Sequence, residues 1–342
     1  MDKRRHKYSF WALLLISFLI GGCAVEDTAG DDPAATTAVK LNIDGDASFT
    51  RAPGDVALSV NRILIVPFRK TNESLTDDAV NYVPDYNAAK QINVSSFPAI
   101  ATMLNLSAAS SYQIMVIGYN QTDYDFTNPN SASRTFSMSP TGSATLANFY
   151  LQPVKPTVVP EFYTCIGNGY MNGTLVGSIF KPGQINNVQG TLKRVVSGLS
   201  LTISNIPSFV SSVSLIAEQL VTSSHGTDGT PLAWQTAGDS GIKLFGNKAP
   251  VNGTVNFNYF ILPTLDAHQT LFYVDVNYGI FTDRYTVKVP DTANVSSGNR
   301  IIFTPNHWVR ITGDYSKINF GFTISDNINL DDNAWDGIQS NN

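Results

Sequence analysis

Few side chains in this 342-residue chain are of the kinds that do chemistry: two cysteines, four histidines and a thin scatter of charge. Cys165 sits in PEFYTCIGNG with no histidine or basic residue close by in sequence. A thiol needs such a neighbour to become a nucleophile, so Cys165 reads as a buried packing residue. His6 belongs to a leading basic segment, while His225, His268 and His307 are isolated and lack the spacing of a metal pair. Asp326, Asp331, Asp332 and Asp336 cluster near the end without the alternating ligands and closing glutamate of a calcium loop, and read as a solvated tail. No GxSxG, phosphate-binding loop or CxxC is present. A catalytic carboxylate pair that meets only in the fold is the arrangement a sequence does not expose. Enzymatic activity, a metal and a cofactor are therefore not expected.

Cys23 has a different setting. Lys3, Arg4, Arg5 and Lys7 form a basic start, and Phe10 to Ile20 (FWALLLISFLI) is apolar but shorter than the roughly 20 residues a membrane-spanning helix needs. Gly21 and Gly22 supply the small side chains that a signal peptidase requires before its cut. The cysteine sulfur can carry a diacylglycerol, and Leu19-Ile20-Gly21-Gly22-Cys23 resembles a bacterial lipobox. Residues 1–22 are expected to be a lipoprotein signal peptide and Cys23 the lipid anchor. The small, acidic, unpatterned stretch AVEDTAGDDPAATTA then reads as a tether. One thiol left after export means no internal disulfide, so stability must come from cores.

Composition supports such cores. Hydrophobic residues make up 43% of the chain and aromatics 11%, whereas charged residues reach only 14%. With 22 basic against 27 acidic residues the net charge is −5, which offers no basic face to a nucleic acid.

The elements that must position these residues read as strands. Alternation marks Val39 to Ile43, Tyr285 to Val289 and Ile318 to Ile324; continuous apolar runs mark Ile63 to Val66, Tyr112 to Tyr119, Leu199 to Ile203 and Leu271 to Val276. Turn-rich stretches such as TDYDFTNPNSAS and TSSHGTDGTP separate them. A short helical segment is placed within Val94 to Leu106. The class is all-β, two β-sandwich domains in tandem, because short strands need a second sheet over each apolar face. The boundary falls near Lys181 to Asn187, giving domains at 52–186 and 187–342. No short-period repeat points to a solenoid or propeller.

One stretch combines a strand with a cleavable bond. Val39, Leu41 and Ile43 alternate; Gly45 and Asp46 follow; then comes a single arginine, Arg51, before Ala52-Pro53-Gly54 and the next strand. A trypsin-like protease would cut between Arg51 and Ala52, with Pro53 modulating the cut.

These features together resemble the fimbrillins of type V pili, subunits made as lipoprotein precursors. Beyond the lipobox and Arg51, the resemblance rests on Val60-Asn61-Arg62-Ile63-Leu64-Ile65-Val66-Pro67-Phe68, on Ser111 to Asn120, on Gly190 to Leu199 and on Pro305 to Ile311. It implies transthyretin-like sandwiches and export to the outer membrane through the lipid. It also implies cleavage after Arg51 by an arginine-specific protease, which makes 23–51 a tether and propeptide strand. Loss of the strand carrying Val39, Leu41 and Ile43 would leave an apolar groove. A neighbour's carboxy-terminal segment would fill that groove by donor-strand exchange, building a cell-surface fimbrium with a role in adhesion to a host or bacterial surface ligand. The donor candidate is Ile328, Leu330, Trp335 and Ile338, with Ile318 to Ile324 as a final core strand. Two alternatives stand beside the stalk subunit. One is a tip or anchor subunit of the same pilus. The other is a surface lipoprotein that binds glycans through Tyr82, Tyr86, Tyr124, Phe126 and Trp234.

Overall fold

A computed structural model describes residues 36–45, 60–95, 100–139, 144–235, 243–264, 270–287, 295–296, 300–316 and 322–329. The described chain is all-β. Its first strands are β1 (Thr36–Gly45), β2 (Arg62–Lys70), β3 (Tyr82–Pro84), β4 (Lys90–Asn93), β5 (Ile100–Ser107) and β6 (Tyr112–Tyr119). Next come β7 (Phe136–Met138), β8 (Tyr150–Pro153), β9 (Tyr163–Ile166), β10 (Asn168–Met171), β11 (Thr174–Gly177) and β12 (Asn187–Arg194). The later half holds β13 (Ser197–Ser204), β14 (Ser212–Glu218), β15 (Val221–His225), β16 (Pro231–Trp234), β17 (Lys243–Lys248) and β18 (Val255–Ile261). It ends with β19 (Leu271–Tyr278), β20 (Phe281–Thr286), β21 (Val295–Ser296), β22 (Arg300–Ile301), β23 (His307–Asp314) and β24 (Phe322–Asn329).

The first unit is one curved ten-stranded sheet folded over a core. One layer runs β5-β1-β12-β10-β11, and the other runs β9-β6-β2 with β3 and β4 beyond. β6 is buried along its whole length, as its unbroken apolar sequence YQIMVIGY demands. Ile114 and Val116 face β1, while Met115 and Ile117 face a second cluster built from β7, β8 and their loops.

The second unit is a sandwich. Sheet β18-β13-β23-β24 packs on sheet β17-β14-β19-β20 over a core running from Leu199 to Ile311. The two units are tied together: β15 and β16 reach back to join β8 and β7, and Val195, Val196, Val221 and Leu262 enter the first unit's second cluster.

Two expectations change. Residues 100–107 form a strand rather than a helical segment, because Leu104 and Leu106 are buried while Met103 and Asn105 point outward, a period of two. β12, placed by the sequence reading at the start of the second domain, hydrogen-bonds into the first unit through β1, β9 and β10. The second core begins only at Leu199.

Candidate functional site

The sequence TTAVKLNIDG alternates apolar and polar residues and is rich in β-branched side chains, the pattern of a strand with one buried face. As β1 it lies in the interior of its layer. On one side it runs antiparallel to β5, from Thr36 opposite Ser107 to Ile43 opposite Ile100. On the other it runs parallel to β12, from Lys40 opposite Asn187 to Gly45 opposite Leu192. Lys40 N donates to Asn186 O at 2.8 Å, and Asn42 Nδ2 donates to Asn187 Oδ1 at 3.0 Å.

Val39, Leu41 and Ile43 have no exposed surface. They share a core with Leu104 and Leu106 of β5, Val188 and Leu192 of β12, and Ile63 and Val116 of the facing layer. Burying each such side chain is worth about 1.5–3 kcal/mol. Lys40 and Asp44, on the outer face, are exposed.

The two walls of this slot are held very differently. β12 is also bonded to β9 and β10, and its last residue, Arg194, is buried at the junction of the units. Arg194 Nε meets Glu161 Oε1 at 2.6 Å, Nη2 donates to Tyr163 OH at 2.5 Å, and Nη1 donates to Asn306 Oδ1 at 3.2 Å. β5, by contrast, pairs with no described strand other than β1. Its remaining ties include Lys90 Nζ donating to Thr102 Oγ1 at 2.8 Å and Ser107 N donating to Tyr112 OH at 3.3 Å.

Cys165 lies beneath β12 as a free, buried thiol, and burial pushes its pKa up to about 12. Such a thiol is inert. Its place was legible only as a packing residue; the wall residues Leu104, Leu106, Val188 and Leu192 were not singled out, although VQGTL alternates plainly.

Cys23, Arg51, Ala52, Leu330, Trp335 and Ile338 lie outside the described residues. The backbone of Ile328 pairs with Trp308, on the same strand as Ile324, which pairs with Ile311. β24 therefore runs through the point where the sequence reading divided core strand from donor.

The aromatic residues read as exposed are mostly inside. Tyr82 and Tyr124 are buried, and Tyr86 and Phe126 are half-buried against the core with their rings 5.7 Å apart; Trp234 alone of the five is exposed. A cleft of about 490 Å³ beside β15 is lined by residues including Gln113, Leu146, Ile166, Asn168, His225 and Asp228, and none of its described lining residues is a Phe, Tyr or Trp that could stack on a sugar. Among the described residues no three His, Cys, Asp or Glu side chains converge as a metal site would require. His307 Nδ1 lies 2.7 Å from Pro305 O, a local turn contact.

No family model matches the chain, and no curated protein matches it. Solved structures similar to it include the fimbrial anchor protein Mfa2 from Porphyromonas gingivalis, at 11% identity and TM-score 0.49, covering 84% of this chain and 95% of that one. A candidate cell adhesion protein from Bacteroides eggerthii aligns at 12% identity and TM-score 0.48, covering 86% and 97%. The tip fimbrial protein Mfa3 from P. gingivalis, with a carboxy-terminal truncation, aligns at 11% identity and TM-score 0.41, covering 84% and 98%.

Proposed function

We propose that this chain is the precursor of a structural subunit of a cell-surface fimbrium with a role in adhesion. One observation carries the reading: a ten-residue amino-terminal strand fills the interior of a sheet, bonded on both sides, with its apolar face fully buried. The segment joining it to β2 contains Arg51. Cutting after Arg51 removes the covalent link while leaving the strand held only by side-chain burial and two ladders. Its departure opens a slot with unpaired backbone groups on β5 and β12, the kind of edge that binds another extended segment.

In this reading Cys23 carries the lipid that takes the precursor to the outer membrane, and an arginine-specific protease trims it to a chain starting at Ala52. The neighbour's donor comes from the end of the chain, from β24 through Ile328, Leu330, Trp335 and Ile338. Adding each subunit to the next by the same unlike contact builds a filament. The five aromatics named for a glycan receptor lie largely in the core, which favours the filament reading.

Amino-terminal sequencing of protein sheared from the cell surface tests this directly. A start at Ala52 supports export, trimming and strand removal together; a start at lipidated Cys23 refutes the trimming step and makes an anchored lipoprotein the better account.

A further inference from the structure

Large apolar side chains on the surface gather at the two ends of the molecule remote from the junction of its units. β13 follows β12 with two residues between them and runs eight residues away from the junction. Around its far end lie the loops 205–211 and 249–254 and the turn between β19 and β20. Ile206 N donates to Gly253 O at 2.9 Å and Ser211 N to Asn277 O at 2.8 Å, which ties the three together. Phe209 is 64% exposed, Val251 70%, Ile280 92% and Phe281 62%. Phe209 stands edge-on to Tyr278 at 6.1 Å, and Tyr278 lies 6.1 Å from Phe281. Tight hairpin turns favour Gly, Asn and Asp; an isoleucine at the tip of Gly279-Ile280, almost wholly in water, serves no folding purpose.

The opposite end carries a second apolar group. Tyr170 on β10 pairs with Asn187, the first residue of β12, so the β10–β11 hairpin overhangs that strand. Met171, Leu175 and Val176 are about half exposed or more. Among the described strands β11 is an edge without the charge or proline that usually guards one, whereas β20 carries Asp283 and Arg284 and β16 carries Pro231. Together the two groups hold seven of the fourteen large exposed hydrophobic side chains among the described residues. Scattered exposure is ordinary; concentration at both ends is not.

We propose that these ends dock on one another between copies, the loops at Phe209, Val251, Ile280 and Phe281 of one subunit covering the Met171, Leu175 and Val176 hairpin of the next. The partner is a second copy because the two patches sit at opposite ends of one chain, so their contact is head-to-tail and repeats without closing. β24, the last described strand, also starts at the loop end: Gly313 pairs with Phe322, and Asn205 Nδ2 donates to Asp314 Oδ1 at 2.8 Å. The slot of β1 opens at the hairpin end, since β1 runs parallel to β12 and Thr36 overhangs its start. Docking thus sets the origin of a released β24 beside the mouth of its neighbour's slot. The donor would enter at the Thr36 end and run as β1 does, parallel to β12. This inference rests on the strand-exchange reading and adds the surface that aligns the exchange.

The test uses the full chain cut after Arg51, in native form and as Ile280→Lys/Phe281→Lys and Leu175→Lys/Val176→Lys variants. All four side chains replaced are more than half exposed, so thermal midpoints should match. Polymer length is followed by size-exclusion chromatography, and binding of a labelled Ile318–Asn342 peptide to each cut subunit is measured separately. The expected result is peptide binding in all three chains with loss of polymer in both variants. Charge reversal adds a check, in which Ile280→Lys/Phe281→Lys subunits mixed with Leu175→Glu/Val176→Glu subunits regain assembly. Native-like polymer in the variants overturns the docking surface and leaves strand exchange standing. Failure of the native chain both to bind peptide and to polymerise overturns strand exchange, and the docking surface with it.

Discussion

Ile43 on β1 stands opposite Gly190 on β12, and the point where a side chain at residue 190 would begin lies 2.7 Å from Cys165 Sγ. The glycine is therefore a space left for sulfur beneath the slot. Gly190→Ala should destabilise the precursor by about 1–3 kcal/mol, the usual cost of overpacking. Removing the sulfur with Cys165→Ala should recover most of that loss, a coupling measurable in a double-mutant cycle by denaturant unfolding.

The same thiol reports on the slot. In the precursor, buried Cys165 should react with iodoacetamide orders of magnitude more slowly than a free thiol. After cutting at Arg51 and dissociation of β1 it should react faster, because the core above it is open. Equal rates before and after strand removal would contradict the proposed groove.

Burial also sets a pH dependence. The thiol's pKa is raised to about 12, above its value in the unfolded chain, so between the two the folded state holds a proton that the unfolded state has lost. Stability from this group is complete at neutral pH and falls as pH climbs past about 9, by at most about 1.4 kcal/mol per unit. Cys165→Ala should flatten that part of the slope in unfolding curves taken at pH 8 to 10.5.

Leu41 is fully buried at the centre of β1. Leu41→Ala should cost the uncut precursor about 2–5 kcal/mol. A chain expressed from Ala52 lacks residue 41, so its stability supplies the floor that the Leu41→Ala precursor should approach; a precursor unaffected by the substitution would mean the strand is dispensable to the core.

Among the described strands β5 pairs with β1 alone. Removal of β1 should bring the amides of residues 100–107 to rapid hydrogen exchange, while those of β6, bonded to both β2 and β9, stay protected. Filling the slot with donor peptide should restore protection.

Much of this was legible in the sequence because it is local. Val39, Leu41 and Ile43 show a period of two, and Tyr112 to Tyr119 shows the unbroken run of a strand buried on both faces. Arg51 and Cys23 were proposed from their chemical neighbours alone and lie outside the described residues. What stayed hidden depends on pairing across the fold. Leu104 and Leu106 look like part of an amphipathic segment of either period until β1 is laid beside them. Tyr82 and Tyr124 sit in turn-rich sequence, and only the packing of β7 and β8 over the sheet brings them inside. The division after residue 186 failed at β12 for the same reason: its alternation fits either unit, and its partners decide.

β1 runs against β5 and with β12, so β5 and β12 run against each other. Two strands of opposite sense, about 9.5 Å apart once the one between them has gone, are themselves a matching pair. In the proposed exchange, a slot left empty for long enough would heal from within, β5 swinging across to β12 and regaining the protection its amides lose when β1 leaves; the partner's strand would then have to arrive before the gap shuts.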